Sequence, residues 1–525
     1  MKIVTQEEMR ALEEAAVQAG TSLDTLMENA GLAIARWVAD RLGYLHSRRI
    51  LTLVGPGNNG GDGLCAARHL SRWGANVTCY LCMSRPQTDP KRALAEQAGV
   101  AFVDAARDPG FARLKSLAAG SHLILDAILG TGRARALIPP VSDEIRVVID
   151  ETRRVRPTRP FVVAVDIQTG LNADTGEFDP NGLPAEVVLT LGAPKLGLYL
   201  RPLVNPAEHV VTVDIGIPDG ADRAVRVDAI TEAMAASVLR PRPITSNKGT
   251  YGRALVVGGS KMYIGAAYLA TAAAAASGAG IVSLAAPRSV TETVAARLAE
   301  ATYVPLVESE PGAPDPEVAG RQIIQACDRA TALLVGPGLG QTPYIGPMLR
   351  RLLAGPLPDI PLVFDADGLN ALARMPSWWE PLRRLAVITP HPGEMARLLD
   401  TTVEAVQNDR LGTARAAAAR FGCVAILKGA CTVVAHPDGR ARINPWANAG
   451  LATGGTGDVL AGVVVSLLAQ GAPPFDAATF AVYAHGLAGH IARARTGDAA
   501  MVAGDVLASL PEAVRRLEAQ PRPQS

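Results

Sequence analysis

Aromatic residues make up only 4% of the 525-residue chain, and cysteine occupies only six positions. Six thiols are too sparse for a disulfide framework, and Cys65, Cys79, Cys82, Cys327, Cys423 and Cys431 show no paired spacing, which points to a reducing cytoplasm. Cys79 and Cys82 form one C-x-x-C, but they fall in an apolar run with strand character. Residues three apart on a strand face opposite ways, so no zinc or redox role is expected there. Neither sign of charge is in excess: 51 Lys+Arg against 50 Asp+Glu gives +1. Without a concentrated basic surface, a nucleic-acid partner is not expected. Strongly apolar runs are also short. Met262–Pro287 carries no charge, yet it is mostly Ala and Gly and is broken at Ser277-Gly-Ala-Gly280. A bilayer helix needs about 20 consecutive strongly apolar residues, so this stretch reads as a packed helix followed by a strand, and no membrane partner is expected. Met1–Arg10 carries Glu7 and Glu8 and no apolar run, unlike a signal peptide or anchor. Lysine is scarce too, seven residues against 44 arginines. Lys195, Lys248, Lys261 and Lys428 lie in or beside Gly- or Pro-containing loops, where a compact ammonium can be needed that a forked guanidinium does not replace.

What is present is a long alternation of short apolar runs with helical segments. At roughly 150 residues per domain, the length implies two to four domains. Strands are expected at Arg49–Val54, Asn76–Cys82, His122–Leu125, Phe161–Val165, Val187–Leu191 and His209–Val213. A second series runs through Ala254–Val257, Ile281–Ala285, Ala332–Val335, Leu362–Phe364, Ala386–Thr389, Val424–Leu427 and Cys431–Ala435. The pattern predicts an α/β fold of two three-layer domains, each a mostly parallel sheet covered by helices. The boundary is expected near residue 220, with Asp219–Thr250 as linker. Gly-Pro-Gly follows a strand in both halves, at 55–57 and 336–338, but the flanking registers differ and no duplication is inferred.

In the first half, Leu51–Gly63 passes from a strand through Gly-Pro-Gly-Asn-Asn-Gly-Gly-Asp-Gly into a helix expected to begin near Leu64. Glycines allow close backbone approach, and free N–H groups at a helix start favour anionic oxygen, so this is a candidate diphosphate cradle. Asn58, Asn59 and Asp62 add polar side chains that a tight turn alone does not require. Asp126 and Asp166 end two further strands, and ligands collect beyond the carboxyl ends of parallel strands. Taken singly, each Asp is equally a turn or helix cap.

In the second half, the most specific element is Asn448-Ala-Gly-Leu-Ala-Thr-Gly-Gly-Thr-Gly-Asp-Val-Leu460. Its glycines lead into a helix whose unpaired N–H groups converge with Asp458 in the first turn. Phosphoryl transfer needs such donors for the developing charge, and a carboxylate beside them can take the attacking hydroxyl's proton. Other strand-end motifs are Gly258-Gly-Ser-Lys261, Gly336–Gly340, Asp365–Asn370, Thr389–Glu394 and Leu427–Thr432.

On these residues, 1 to about 220 resembles the NAD(P)H-hydrate epimerase family, through Leu26-Met-Glu-Asn-Ala-Gly31, the Asn-Asn-Gly-Gly-Asp run, Asp126 with its Gly-Thr-Gly, and Asp166. The resemblance implies a Rossmann-like domain. In it Asn58, Asn59, Gly60, Gly61, Asp62, Gly130, Thr131, Gly132, Arg133, Ala134, Arg135, Ala136 and Asp166 bind the hydrated dinucleotide. Asp166 would serve as proton-transfer group, and a potassium ion would sit at Asn59, Asp126 and Thr169. Gln168 and Thr169 stand where the family usually has Pro-Ser, which keeps the hydroxyl and loses a stiff proline.

Residues 226 to 515 are similar to the ADP-dependent NAD(P)H-hydrate dehydratases, with a ribokinase-like fold. The likeness implies that Ala266, Gly338, His391 and catalytic Asp458 contact the hydrate, while Lys428, Gly429, Ala430, Cys431, Thr432 and Gly457 hold the nucleotide, with magnesium on its phosphates. Ile264 stands where the family often has proline. Together the two halves imply repair of hydrated NADH and NADPH, using ADP or ATP. Homo-oligomerisation, common for such folds, is left open by the sequence. The competing reading is a ribokinase-like kinase of a small vitamin-precursor alcohol, fused to a nucleotide-sensing domain.

Overall fold

A computed structural model describes residues 1–132, 136–154, 159–203, 205–382 and 385–520. They divide into two compact units, Lys2–Arg226 and Val227–Ser525 with Met1.

The first unit holds seven strands: β1 Arg49–Val54, β2 Asn76–Leu81, β3 Ala101–Asp104, β4 Leu123–Ala127, β5 Phe161–Val165, β6 Val187–Leu191 and β7 Val210–Val213. All pair in parallel, in the order β3-β2-β1-β4-β5-β6-β7. The chain winds outward from β1 in one direction and from β4 in the other, so the crevice for a ligand opens where β1 meets β4. Central strands are buried along nearly their whole length, as a sheet covered on both faces requires. β3 was not expected: its four residues include only two apolar side chains beyond Ala101, too short a run for a distinct signal.

In the second unit the strands are β8 Val227–Ala229, β9 Arg253–Val257, β10 Ile281–Pro287, β11 Thr302–Leu306, a small hairpin of β12 Glu308–Glu310 and β13 Ala313–Pro314, then β14 Ala332–Val335, β15 Leu362–Phe364, β16 Val387–Ile388, β17 Val424–Leu427, β18 Val433–Ala435 and β19 Ala441–Ile443. Ten form one sheet, in the order β11-β10-β9-β14-β15-β16-β17-β18-β19-β8. It is parallel from β11 to β17, and β18 turns back antiparallel. Its direction of winding reverses between β9 and β14. Within the expected linker Asp219–Thr250, which carries the expected short helical stretch, the structure adds an edge strand. Val227–Ala229 is an edge strand and Glu232–Ala236 a helix, both belonging to the second unit.

The uncharged 262–287 stretch folds as the helix Ile264–Ala276 and β10. The helix is alanine-rich because it packs tightly on the helix Thr456–Ala469, where a side chain on Gly462 would lie 2.8 Å from Ala273 Cβ. Among the described residues, no helix is long and apolar enough to cross a membrane.

A similar glycine device occurs in both units. A Cβ on Gly55 would overlap the carbonyl of Ile128, the residue after β4, and one on Gly336 would overlap the carbonyl of Asp365, the residue after β15. In each unit the first glycine of Gly-Pro-Gly lets the loop of the neighbouring strand pass at contact distance. The same requirement governs the packing of the helices Leu23–Leu42 and Asn58–Arg72, where a Cβ on Gly31 would overlap Cys65. Gly31→Ala is expected to cost about 1–3 kcal/mol through overpacking. Denaturant unfolding of the first unit would register it, and an unchanged midpoint would contradict the packing account.

Candidate active sites

In the first unit, a cavity of about 610 Å³ opens at the β1/β4 crevice. The helix after β1 begins at Asn58, six residues earlier than its expected start near Leu64. The Asn-Asn-Gly-Gly-Asp run is therefore the helix's own first turns rather than a loop. Gly60 and Gly61 sit inside it because side chains there would meet Gly55 O and Met27 Sδ. Asn58, Asn59, Asp62, Gly130, Thr131, Gly132 and Asp166 all line the cavity, whereas Gly60 and Gly61 are turned into packing. Ala136 is exposed, and Arg133, Ala134 and Arg135 lie outside the described residues.

Beside this cavity, Asp126 is completely buried. Its Oδ2 accepts the backbone N–H of Thr169 at 2.8 Å, and its Oδ1 accepts the Thr169 hydroxyl at 2.6 Å. Burial nevertheless pushes the Asp126 carboxyl up to about 6. Replacing the family's usual serine by Thr169 thus keeps the hydroxyl in use. Asn59 is buried with neither side-chain amide atom hydrogen-bonded, and its side chain lies against Gly130. An orphaned buried amide against the segment after β4, with a strand-end carboxylate and hydroxyl paired at that strand's end, offers oxygens of the kind a hard cation takes.

Asp166 has a left-handed backbone, φ +67°, at the end of β5. Its Oδ1 accepts the Lys195 ammonium at 2.5 Å and the Leu191 N–H at 3.1 Å, and Lys195 is 1% exposed. The partnership with Lys195 is not visible from motif spacing, although lysine's scarcity singles that residue out. Glu13, from the first helix, also lines the cavity, and burial pushes its carboxyl up, helped by Asp166 and opposed by Lys195.

In the second unit, the helix Thr456–Ala469 starts at Gly455, φ +95°, with Asp458 in its first turn. Lys428 reaches under that turn: a Cβ on Gly457 would lie 3.2 Å from its ammonium. The Lys428 ammonium donates to Asp365 Oδ1 at 2.8 Å and stands 3.8 Å from Glu394 Oε2. Burial opposes its charge, but Asp365 and Glu394 outweigh that and raise its pKa. Asp365 occupies a helix N-cap position without capping the helix, and accepts the Thr389 hydroxyl at 2.6 Å instead. Burial first, then the neighbouring Asp365, pushes Asp458 up to about 7.

Gly338 and Ala266 are brought together, a Cβ on Gly338 falling 2.8 Å from Ala266 Cβ, and Gly338 has φ +63°. His391 caps the helix Pro392–Leu399, its Nδ1 accepting the Gly393 N–H at 3.0 Å. Its Nε2 is left as the protonated nitrogen when the ring is neutral. Gly429 and Ala430 are exposed, while the Cys431 thiol is buried and pushed up to about 12. A ligand on this loop therefore meets backbone rather than sulfur. His485 is a further residue the motifs do not reveal. It is buried on a different helix, 2.9 Å from the carbonyl of Thr456, and burial pulls it down to about 4. A neutral Nε2–H donating there ties down the turn that carries Asp458. Among the described residues, no group of three or more His, Cys, Asp or Glu side chains is arranged to hold a metal ion.

The sequence profile described as YjeF-related protein N-terminus matches residues 23–197, and that described as NAD(P)H-hydrate dehydratase matches 254–512. The bifunctional NAD(P)H-hydrate repair enzyme of Moorella thermoacetica is 38% identical over 501 residues, covering 94% of this chain and 92% of the relative. The chain belongs to the bifunctional NAD(P)H-hydrate repair enzyme family. The Escherichia coli member is 34% identical over 504 residues, covering 95% and 91%. The ADP/ATP-dependent NAD(P)H-hydrate dehydratase of Bacillus subtilis, co-crystallised with ATP and magnesium, is similar at a TM-score of 0.47 and 31% identity, covering 56% of this chain and all of that one.

For this member of the repair-enzyme family, a reaction in which Asp458 takes a proton should accelerate as pH rises through about 7, because only the ionised carboxylate is a base. A pH–rate profile of the second unit's activity checks this. A profile flat between about pH 6 and 8 would contradict it.

Proposed function

We propose that the first unit interconverts the R and S epimers of hydrated NADH and NADPH, and that the second dehydrates the S epimer at the expense of ADP. The observation that carries this reading is Asp458 in the first turn of a glycine-led helix, with Lys428 beneath Gly457. Hydroxide is a poor leaving group and phosphate a good one. Asp458 takes the proton as the hydrate's hydroxyl attacks the terminal phosphoryl of ADP, releasing AMP. The ring nitrogen's lone pair then expels phosphate, and loss of a proton from the adjacent ring carbon restores the dihydronicotinamide. The free N–H groups of the helix start and the Lys428 ammonium face the charge that develops on the phosphoryl oxygens.

In this reading Ala266, Gly338 and His391 hold the hydrate, and Lys428 to Thr432 with Gly457 hold the nucleotide. Magnesium would come with the nucleotide's phosphates and would neutralise part of their charge. In the first unit, Asn58, Asn59, Asp62, Gly130 to Ala136 and Asp166 hold the hydrate, with Gly60 and Gly61 serving the packing of the helix start beneath them. The unpartnered Asn59 amide, the Asp126 carboxylate and the Thr169 hydroxyl support a potassium ion, which would fix the turns after β4 and β5. The ring nitrogen can expel the hydroxyl unaided by phosphate, and water returning to the other face inverts the centre, so this half needs only proton transfer. Six buried free thiols fit a cytoplasmic setting.

Purified protein given either epimer of hydrated NADH with ADP and magnesium should restore the absorbance of reduced nicotinamide. Asp458→Asn should abolish recovery from both epimers, by at least about 100-fold. Asp166→Asn should block recovery from the R epimer alone. Wild-type protein that leaves both hydrates untouched but phosphorylates a vitamin alcohol would replace this reading with that of a kinase.

A further inference from the structure

Asp166 spends only one of its two carboxylate oxygens on the protein. Oδ1 takes both the Lys195 ammonium and the Leu191 N–H, and among the described residues nothing donates to Oδ2. Lys195 is itself held in place by the Leu191 carbonyl, at 2.8 Å. Asp62 is the opposite case. It is 7% exposed, lines the same cavity, and its carboxyl makes no hydrogen bond or ion pair among the described residues. The two carboxyls enter from the segments after β1 and β5, which flank β4 in the sheet. A ring lying over the end of β4 therefore has one of them on each side.

Inverting a carbinol centre by expulsion and readdition needs a proton delivered to the leaving hydroxyl and another removed from the incoming water. A carboxylate fixed in an ion pair is held ready to remove a proton. We propose that Lys195 is a positioning residue that keeps Asp166 as the base, with Oδ2 presented to the substrate, and that Asp62 is the separate acid. This rests on the epimerase reading above. In one direction the ring nitrogen's lone pair forms the C=N bond, the C–O bond breaks, and the hydroxyl leaves as water with the Asp62 proton. Water then adds to the other face, its proton passes to Asp166 Oδ2, and the C=N electrons return to nitrogen. That leaves Asp62 ionised and Asp166 protonated; proton exchange with water resets both before the next turnover, and the reverse direction runs the same steps backwards. Burial, then the charges of Asp166 and Glu13, hold the Asp62 carboxyl well above the usual carboxylate range, against the pull of Lys195 and Lys91.

The test uses the full chain without ADP and follows R-to-S conversion of hydrated NADH by chromatography. Asp62→Asn and Lys195→Ala should each lower kcat by about 100-fold or more, with KM changed less than about threefold. Methylammonium should restore at least about tenfold to Lys195→Ala by refilling the vacated ammonium site, and nothing to Asp62→Asn. Circular dichroism checks folding, and Lys195→Met, which keeps most of the aliphatic stem, replaces Lys195→Ala if the latter unfolds; it should show the same fall in kcat. A raised KM with intact kcat in Asp62→Asn would make Asp62 a binding residue. Full kcat in a folded Lys195 variant, or a loss in Lys195→Ala that methylammonium leaves unrepaired, would remove the positioning role. Wild-type protein that never interconverts the epimers would defeat the epimerase reading itself, whereas active wild type with fully active variants would defeat only this division of labour.

Discussion

Two lysine–aspartate pairs anchor the chemistry of this protein, Lys195 with Asp166, both buried, and Lys428 with Asp365, in which the aspartate is buried and the lysine half-buried. Taking an ammonium out of water costs several kcal/mol, and the cost is offset only when a carboxylate and further polar groups complete its shell. Here each aspartate stands directly after a parallel strand, and each lysine comes from a later strand-end segment. Removing one partner would leave the other charge buried alone, at a cost of about 3–5 kcal/mol. That constraint explains why a chain with 44 arginines keeps lysine at these positions. A planar guanidinium presents a fork where the space beside Asp365 and Gly457 admits one compact cation.

Around those pairs, close backbone approach does the rest. Gly55 and Gly336 each stand at the end of a strand bordering the reversal of winding, and each is pressed by the carbonyl that follows the adjacent strand. The shared Gly-Pro-Gly answers the same kind of steric problem at different places, between β1 and β4 across the reversal in the first unit and between β14 and β15 beside it in the second, in keeping with the absence of a wider repeat. Tight packing at the crevice lets side chains from four or five loops converge. It also removes water from Asp126 and Asp458, whose carboxyls rise to about 6 and about 7.

The apolar runs of the central strands are visible in the sequence because those strands are buried on both faces. β3, β8, β11 and β19 are not, being short or at sheet edges, with too few apolar residues to stand out. The helix start at Asn58 is hidden for a different reason. Gly60, Gly61 and Gly63 read as loop by propensity, yet tertiary packing against Gly55 O, Met27 and Ala127 demands them inside a helix. Asp126, Thr169, Asp166 and Asp458 can be named from strand-end position and motif. Their partners cannot, because Lys195, Asp365 with Thr389, and His485 meet them only through the pairing order of the sheet and the packing of a distant helix.

The claim on which the account turns is that the hydrate's own oxygen leaves on phosphate. The most direct measurement uses the Asp166→Asn variant, in which the first unit no longer exchanges the hydroxyl with water, supplies it with the S epimer of hydrated NADH carrying oxygen-18 in its hydroxyl, ADP and magnesium, and weighs the released phosphate by mass spectrometry. Transfer through Asp458 predicts one heavy oxygen in each phosphate formed. Unlabelled phosphate, with the label recovered in water, would contradict it.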